Sequence, residues 1–233
     1  MKNINIKHLS LRPSRSEANT APRPLGASFW LESVPDKKIF PVLEKSLRAD
    51  IVIVGAGIVG LMTAWNFVAK GFKVVVLEKN HIATGDTAAT TGFLTRVPDT
   101  SLHGLQTKYG NDFLTKLFEC SGEAQRSIFH LIKNKAIDCD FRQCDSYYGS
   151  YQAPNEMLKN DWTALEKITA AGAFFVENGV QQKFPFAKTI RFQDEAAFNA
   201  RKFIFKLLEI LKGPYFEIYE ESEVVEVDVK SDV

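Results

Sequence analysis

Three glycines and one glutamate carry the strongest chemical signal in the chain. In residues 50–79, DIVIVGAGIVGLMTAWNFVAKGFKVVVLEK, Gly55, Gly57 and Gly60 follow a short aliphatic run, and Glu78 closes a second one. Such glycines have separate uses. Gly55 permits a tight turn, Gly57 lets backbone approach a pyrophosphate where a Cβ would collide, and Gly60 lets a helix lie close against a strand. A helix opening at that turn offers unpaired N–H groups and a partial positive charge to phosphate. Glu78 is placed to accept hydrogen bonds from a ribose hydroxyl pair, and its charge disfavours a 2′-phosphate.

These residues need a strand before the glycines, a helix after them and a second strand ending at the acid. The sequence supplies all three. Ile51 to Val54 are β-branched and unalternating, as expected of a strand covered on both faces. Apolar residues then recur at 58, 61, 62, 65, 68 and 69 with helical spacing, and Gly71 is a left-handed stop signal. Residues 73–77 form another unbroken aliphatic strand. In this βαβ setting the glycine pattern is a nucleotide cradle rather than an ordinary turn. The next segment, HIATGDTAATTGFLT, is crowded with hydroxyls and small residues. It can surround a diphosphate and let a flat ring pass, or it can be a Thr-rich turn with Asp86 or Thr87 as an N-cap. Composition does not choose between these, nor between NAD and FAD.

Composition sets outer bounds. The chain has 233 residues, 45% hydrophobic and 24% charged, with a formal net charge of +1. That is ordinary for a globular protein and provides no strong basic field for nucleic acid. The three cysteines, Cys120, Cys139 and Cys144, cannot all pair; reduced thiols in a cytoplasmic setting are the simplest reading. The longest apolar run, residues 51–62, is too short for a membrane span of about 20 residues. Cys139 and Cys144 lack a second ligand pair at zinc spacing, no Cys-x-His pair marks a Rieske cluster, and neither GxSxG nor HExxH occurs.

The chain resembles the FAD-dependent oxidoreductases of the D-amino-acid oxidase superfamily. The matching residues are Trp30, residues 50–79 and the loop 82–95; HGLQTKYG, Asn199 in AAFNA, and FEIYEESEVVEV are weaker landmarks. The resemblance runs over residues 29–229 and is strongest in the cradle. It is nearest to a bacterial branch that often carries a Rieske domain at its far end. It implies an FAD/NAD(P)-binding Rossmann-like parallel sheet with helices, an α/β fold, plus part of an α+β substrate domain. It also implies FAD as cofactor. Carried over by residue, Gly55, Ala56, Gly57, Ile58, Val59, Gly60 and Glu78 hold the ADP half, with Lys79 near the adenosine. Thr84, Gly85, Thr87, Thr90 and Thr91 handle the pyrophosphate and approach the flavin, and the backbone at Val224 contacts the adenine side. Two departures from the branch are Asp86, an acid beside the expected diphosphate, and Phe93, where the branch has Lys. No catalytic residue is assigned.

Domain expectations follow. Residues 1–28, rich in Pro and scattered polar residues, read as a disordered leader. Residues 29–135 form the cofactor domain around the 50–79 core, and residues 136–233 a partial substrate domain with a returning segment. Asn111 is a candidate cap for a helix to about residue 135; residues 139–151, CDFRQCDSYYGSY, have strand-like aromatic content, and 155–172 and 196–212 read as helices. Phe184, Pro185, Phe186 and Phe192 suggest further strands. Tyr147, Tyr148 and Tyr151 are candidates to orient an amine or carboxylate; His103 reads as structural. Relatives of this type continue well past the equivalent of Val233, so the fold reads as incomplete. The expected function is oxidation of a small amine or amino acid by hydride transfer to flavin. The alternative is a truncated or non-catalytic dinucleotide-binding module that needs further sequence or a partner chain.

Overall fold

Regular structure follows the glycine punctuation. The structure, a computed structural model, describes residues 4–5, 9–13, 28–35, 40–150, 156–168, 171–177 and 188–227. In chain order the elements are β1 (Ile4–Asn5), β2 (Leu9–Pro13), α1 (Phe29–Ser33), β3 (Arg48–Ala49), β4 (Ile51–Val54), α2 (Ile58–Val68), β5 (Val74–Leu77) and β6 (Phe93–Leu94). They continue as α3 (Leu102–Tyr109), α4 (Asn111–Asn134), β7 (Arg142–Ser150), α5 (Glu156–Leu165), β8 (Ala173–Glu177), β9 (Lys188–Ala197), α6 (Ala200–Leu211), β10 (Phe216–Tyr219) and β11 (Ser222–Val227). No helix among the described residues is long and apolar enough to cross a membrane.

The chain divides into two units, residues 1–91 with 199–233, and residues 92–198. This corrects the boundary expected near residue 135. The amphipathic α4 follows the cradle in sequence, but its buried Leu114 and Phe118 belong to the core of the second unit, with Leu158, Leu165 and Phe192. The chain leaves the first unit at residue 91 and returns at residue 199.

In the first unit, β4, α2 and β5 form the expected βαβ arrangement. A parallel sheet runs in the order β10-β5-β4, with Ile51 and Phe216 both in register with Val74. All four β5 residues are buried, as a central strand requires. Beneath them lie Leu43, Ala49 and Tyr219, each large apolar side chain contributing about 1.5–3 kcal/mol by leaving water. The Asp50 carboxylate accepts from Lys73 N–H at 2.8 Å and aligns the two strand starts. Gly71, at φ 84°, ends the helix in the left-handed conformation, with Phe72 N–H returning to the Phe67 carbonyl. β4 differs from expectation. Ile51–Ile53 are half-buried and Val54 is 62% exposed rather than covered on both faces, and among the described residues the strand pairs with β5 alone.

The described residues 4–5 and 9–13 of the expected disordered leader are strands instead. β1 pairs antiparallel with β3, and β2 pairs antiparallel with β11, Leu11 opposite Val224. Ladder hydrogen bonds give residues 4–5 and 9–13 regular backbone, and Pro13 stands at a strand end where a missing N–H costs least.

The second unit is an antiparallel sheet flanked by helices. β9 has β7 along one edge and β6 and β8 along the other. A bulge between Cys144 and Ser146 coincides with Asp194 at φ 58°. The cap of α4 is Gly110, at φ 85°, rather than Asn111, whose side chain instead accepts from Gln106 Nε2. Phe192 stacks on Phe118. Phe184, Pro185, Phe186 and Tyr151 lie outside the described residues.

On β10, Glu217 accepts from the Tyr219 hydroxyl at 2.7 Å and pairs with Lys73 at 3.2 Å. The phenol hydrogen bond, then the lysine, holds its carboxyl below the usual range. A depressed carboxylate stabilises the fold above its unfolded pKa of about 4.3 and loses that contribution as pH falls through the folded value. Glu217→Gln is therefore expected to be less stable than wild type at neutral pH, with the difference closing below about pH 4. Denaturant melts across pH check this; a pH-independent difference contradicts it.

Candidate functional site

The Gly-rich turn is shaped by absent side chains. Gly55 adopts φ 99°, a conformation other residues rarely tolerate. A Cβ on Gly60 would stand 2.0 Å from the Gly55 carbonyl oxygen, so only glycine lets α2 begin this close to the end of β4. Gly57 has ordinary backbone angles, φ −80° and ψ −176°. Its constraint is spatial, since a Cβ there would meet Thr87 Oγ1 at 3.2 Å.

Two side chains from later in the sequence finish the turn. Glu78 Oε2 accepts from Ala56 N–H and Oε1 from Asn80 N–H, both at 2.8 Å. The acid thus joins the end of β5 to the turn after β4, and each oxygen keeps a lone pair for further donors. Thr87 is buried, and its hydroxyl oxygen accepts from Ile58 N–H at 3.0 Å. Of the two readings of this loop, the one with Asp86 or Thr87 capping the loop's own helical turn is not what the structure shows. That turn, Asp86–Ala88, is 3₁₀ and is capped by Gly85 without a side-chain bond, while Thr87 caps α2 across the cradle. Asp86 is exposed.

The remaining candidates surround this core. Val59 is 78% exposed, and its N–H, like that of Gly60, belongs to the first helical turn, which has no intrahelical acceptor. Lys79 is exposed beside Glu78. Thr84 donates to the His81 carbonyl at 2.8 Å. Gly85 and Thr91 are exposed, and the Thr90 carbonyl accepts from the Trp30 indole N–H at 2.6 Å. Val224 lies on β11 against Val75, Leu77 and Tyr219. That strand starts with Ser222 N–H bonded to the Glu78 carbonyl at 2.8 Å.

Sequence reading missed Glu220 and Arg201. Glu220 is 2% exposed, and its Oε1 accepts from Ile82 N–H at 2.9 Å, fastening the loop beyond Glu78. Arg201 is fully buried and donates to the Val34 and Ala83 carbonyls. Its signal was present: position 201 shares the apolar stripe of α6 with Ile204 and Leu208.

In the second unit, Asp161 is fully buried and accepts from Ser101 Oγ at 2.9 Å, His103 N–H at 2.8 Å and the Tyr148 hydroxyl at 3.2 Å. Burial, then the Asp161 charge, pushes the Tyr148 phenol up. Tyr148 is thereby committed to an internal network, whereas Tyr147 is 40% exposed. His103 contributes its backbone at the start of α3. No group of three or more His, Cys, Asp or Glu among the described residues is arranged to hold a metal ion.

The turn fits the ADP half of a dinucleotide. Glycine clears the approach at 57, the helix terminus presents N–H groups, and a carboxylate stands at the end of the neighbouring strand. A family model described as DAO, FAD dependent oxidoreductase, matches residues 50–233. The chain is 27% identical over 207 residues to YhfW of Bacillus subtilis, named as a Rieske 2Fe-2S iron-sulfur protein, covering 87% of this chain and 39% of that one. It is 31% identical over 116 residues to the gamma-glutamylputrescine oxidoreductase of Escherichia coli, covering 50% and 27%. Among solved structures, an L-amino acid deaminase from Proteus vulgaris superposes with a TM-score of 0.59 at 20% identity, over 78% of this chain and 47% of that one. The chain thus spans less than half the length of each.

Thr87→Val tests the cap across the cradle. It keeps the side-chain volume and leaves Ile58 N–H without its acceptor, a loss of about 1 kcal/mol. The midpoint of denaturant unfolding is expected to fall at unchanged slope; an unchanged midpoint assigns the hydroxyl no such role.

Proposed function

The chain belongs to the DAO family of FAD-dependent oxidoreductases, and on that premise we propose that its Gly-rich turn binds the ADP half of FAD in an enzyme that oxidises an amine or amino acid. The observation that carries this reading is the joint geometry of Gly57, Glu78 and Thr87: a glycine whose missing Cβ leaves room for Thr87 Oγ1, a carboxylate at 2.8 Å from Ala56 N–H, and a hydroxyl over the first helical N–H. When bound, FAD supplies a two-electron acceptor for a hydride leaving the substrate carbon. The chain's own residues bind and orient. Gly55, Ala56, Gly57, Ile58, Val59 and Gly60 form the diphosphate cradle, and the partial charge of the α2 terminus attracts the anion. Glu78 accepts from the ribose hydroxyls, with Lys79 at its side. Thr84, Gly85, Thr87, Thr90 and Thr91 line the following loop, and β11 at Val224 flanks the adenine.

The substrate class rests on relatives whose names specify a gamma-glutamylputrescine oxidoreductase and an L-amino acid deaminase. The β-branched β4, with its one described partner, supports addition of a further strand along its open edge. That strand would come from more polypeptide or from a partner chain, and the ring half of the cofactor site would depend on it.

Gly57→Val is expected to abolish FAD retention through gel filtration, read by flavin absorbance, because its side chain occupies the diphosphate approach. Glu78→Ala removes a charged acceptor worth about 1.5–3 kcal/mol, so its dissociation constant for FAD should rise roughly ten- to a hundredfold. Wild-type flavin content in the first variant, or wild-type affinity in the second, refutes the assignment of that residue.

A further inference from the structure

Arg201 is a fully buried charge on the apolar face of α6. Three guanidinium nitrogens donate to irregular backbone. Nε and Nη2 reach the Val34 carbonyl at 3.1 and 2.8 Å, and Nη1 reaches the Ala83 carbonyl at 2.7 Å. The Phe205 ring lies 5.3 Å from the guanidinium carbon. Each acceptor leads to the candidate site by its own route. Ala83 is held at φ 55°, rare for a residue with a side chain, and its N–H donates to the Ala56 carbonyl at 3.2 Å. One residue is therefore fixed between the guanidinium and the Gly-rich turn. Val34 ends α1. From that helix the Trp30 indole donates to the Thr90 carbonyl at 2.6 Å, and the neighbouring Ser28 hydroxyl donates to the Ala88 carbonyl. Asn199 reinforces the second route: its Oδ1 caps α6 at Lys202 N–H while its Nδ2 donates to Ser33 Oγ.

A planar fork can span two carbonyls that a single ammonium cannot. Stability alone does not call for a charge here, since apolar residues of similar volume often replace buried ions without loss. We propose that Arg201 is a positioning residue for the dinucleotide site, holding the loop 83–90 against the Gly55–Gly57 turn both directly and through α1. The proposal rests on reading that turn as the ADP cradle.

The test uses protein expressed from the complete reading frame, with Arg201→Met, Arg201→Lys, Trp30→Phe and Gly57→Val. Three quantities are read: FAD affinity by flavin fluorescence titration, ADP affinity by calorimetry, and the melting temperature of flavin-free protein. Arg201→Met is expected to weaken FAD and ADP by about tenfold or more in the folded fraction, from loss of charge-assisted bonds. Arg201→Lys should recover part of that loss, because it reaches one of the two carbonyls. Trp30→Phe should weaken both ligands, and its combination with Arg201→Met should cost less than the product of the two, since both act on one loop. If Gly57→Val fails to bind FAD while Arg201→Met binds it like wild type, the positioning role is overturned and the cradle reading stands. A lowered melting temperature with unchanged ligand affinity also overturns it. If Gly57→Val binds FAD normally, the cradle reading falls and this proposal with it. Should Arg201→Met fail to fold, Arg201→Lys and Trp30→Phe decide, and wild-type affinity in both overturns the proposal.

Discussion

A Cβ on Gly60 would stand 2.0 Å from the Gly55 carbonyl oxygen, and the geometry of the first unit depends on that missing atom. It lets α2 start directly over the end of β4. The first helical N–H groups then face a turn with no intrahelical acceptors, so the chain must satisfy them from elsewhere or leave them for an anion. Thr87 takes the first of these groups, that of Ile58, from the loop after β5. Glu78 takes the Ala56 N–H from the end of β5. Close approach in one place therefore requires two polar side chains in another, one ending β5 and one from the hydroxyl-rich loop that follows it.

This explains which parts were legible. Glycine at 55, 57 and 60 is a local requirement, expressed at the residues that meet it. The unbroken β-branched run of β5 likewise reports burial on both faces, and all four of its residues are buried. Gly71 marks a left-handed stop that occurs where expected. The acid ending β5 is also local, because the parallel register carries Leu77 opposite Val54 and leaves Glu78 level with the turn.

What was not legible depends on distant pairing. The β4 sequence resembles that of β5, yet the burial of its side chains depends on what packs on each face of the sheet, and no property of Ile51–Val54 specifies that. The domain boundary failed for a related reason. The apolar stripe of α4 announces a buried face without naming the sheet that buries it, and that sheet is built around β9, whose partners β6 and β7 precede it by many residues. Asn111 reads as a cap for the helix that follows it, and one open reading of the Thr-rich loop treats Thr87 in the same way, because a short polar side chain is paired with the nearest helix. Gly110 supplied the first cap by conformation alone, and Thr87 served a helix earlier in the chain.

The loops around the turn have a common physical need. They lack ladder or helical partners, so their peptide groups must be held by side chains or by water. Two buried polar residues meet that need in the first unit: Arg201 for Ala83 and Val34, and Glu220 for Ile82; within the second unit, Asp161 does the same for the start of α3. Each is buried at a cost recovered only when its bonds are made. Such a residue ties its loop to one arrangement, because any other arrangement strands a charge in the interior. The regular elements can tolerate changes of apolar side chain with modest loss, whereas these loops are specified by a few groups that admit no substitute of different shape. In the first unit the glycines let the backbone approach closely, and Arg201 and Glu220 hold the neighbouring irregular backbone at Ala83, Val34 and Ile82.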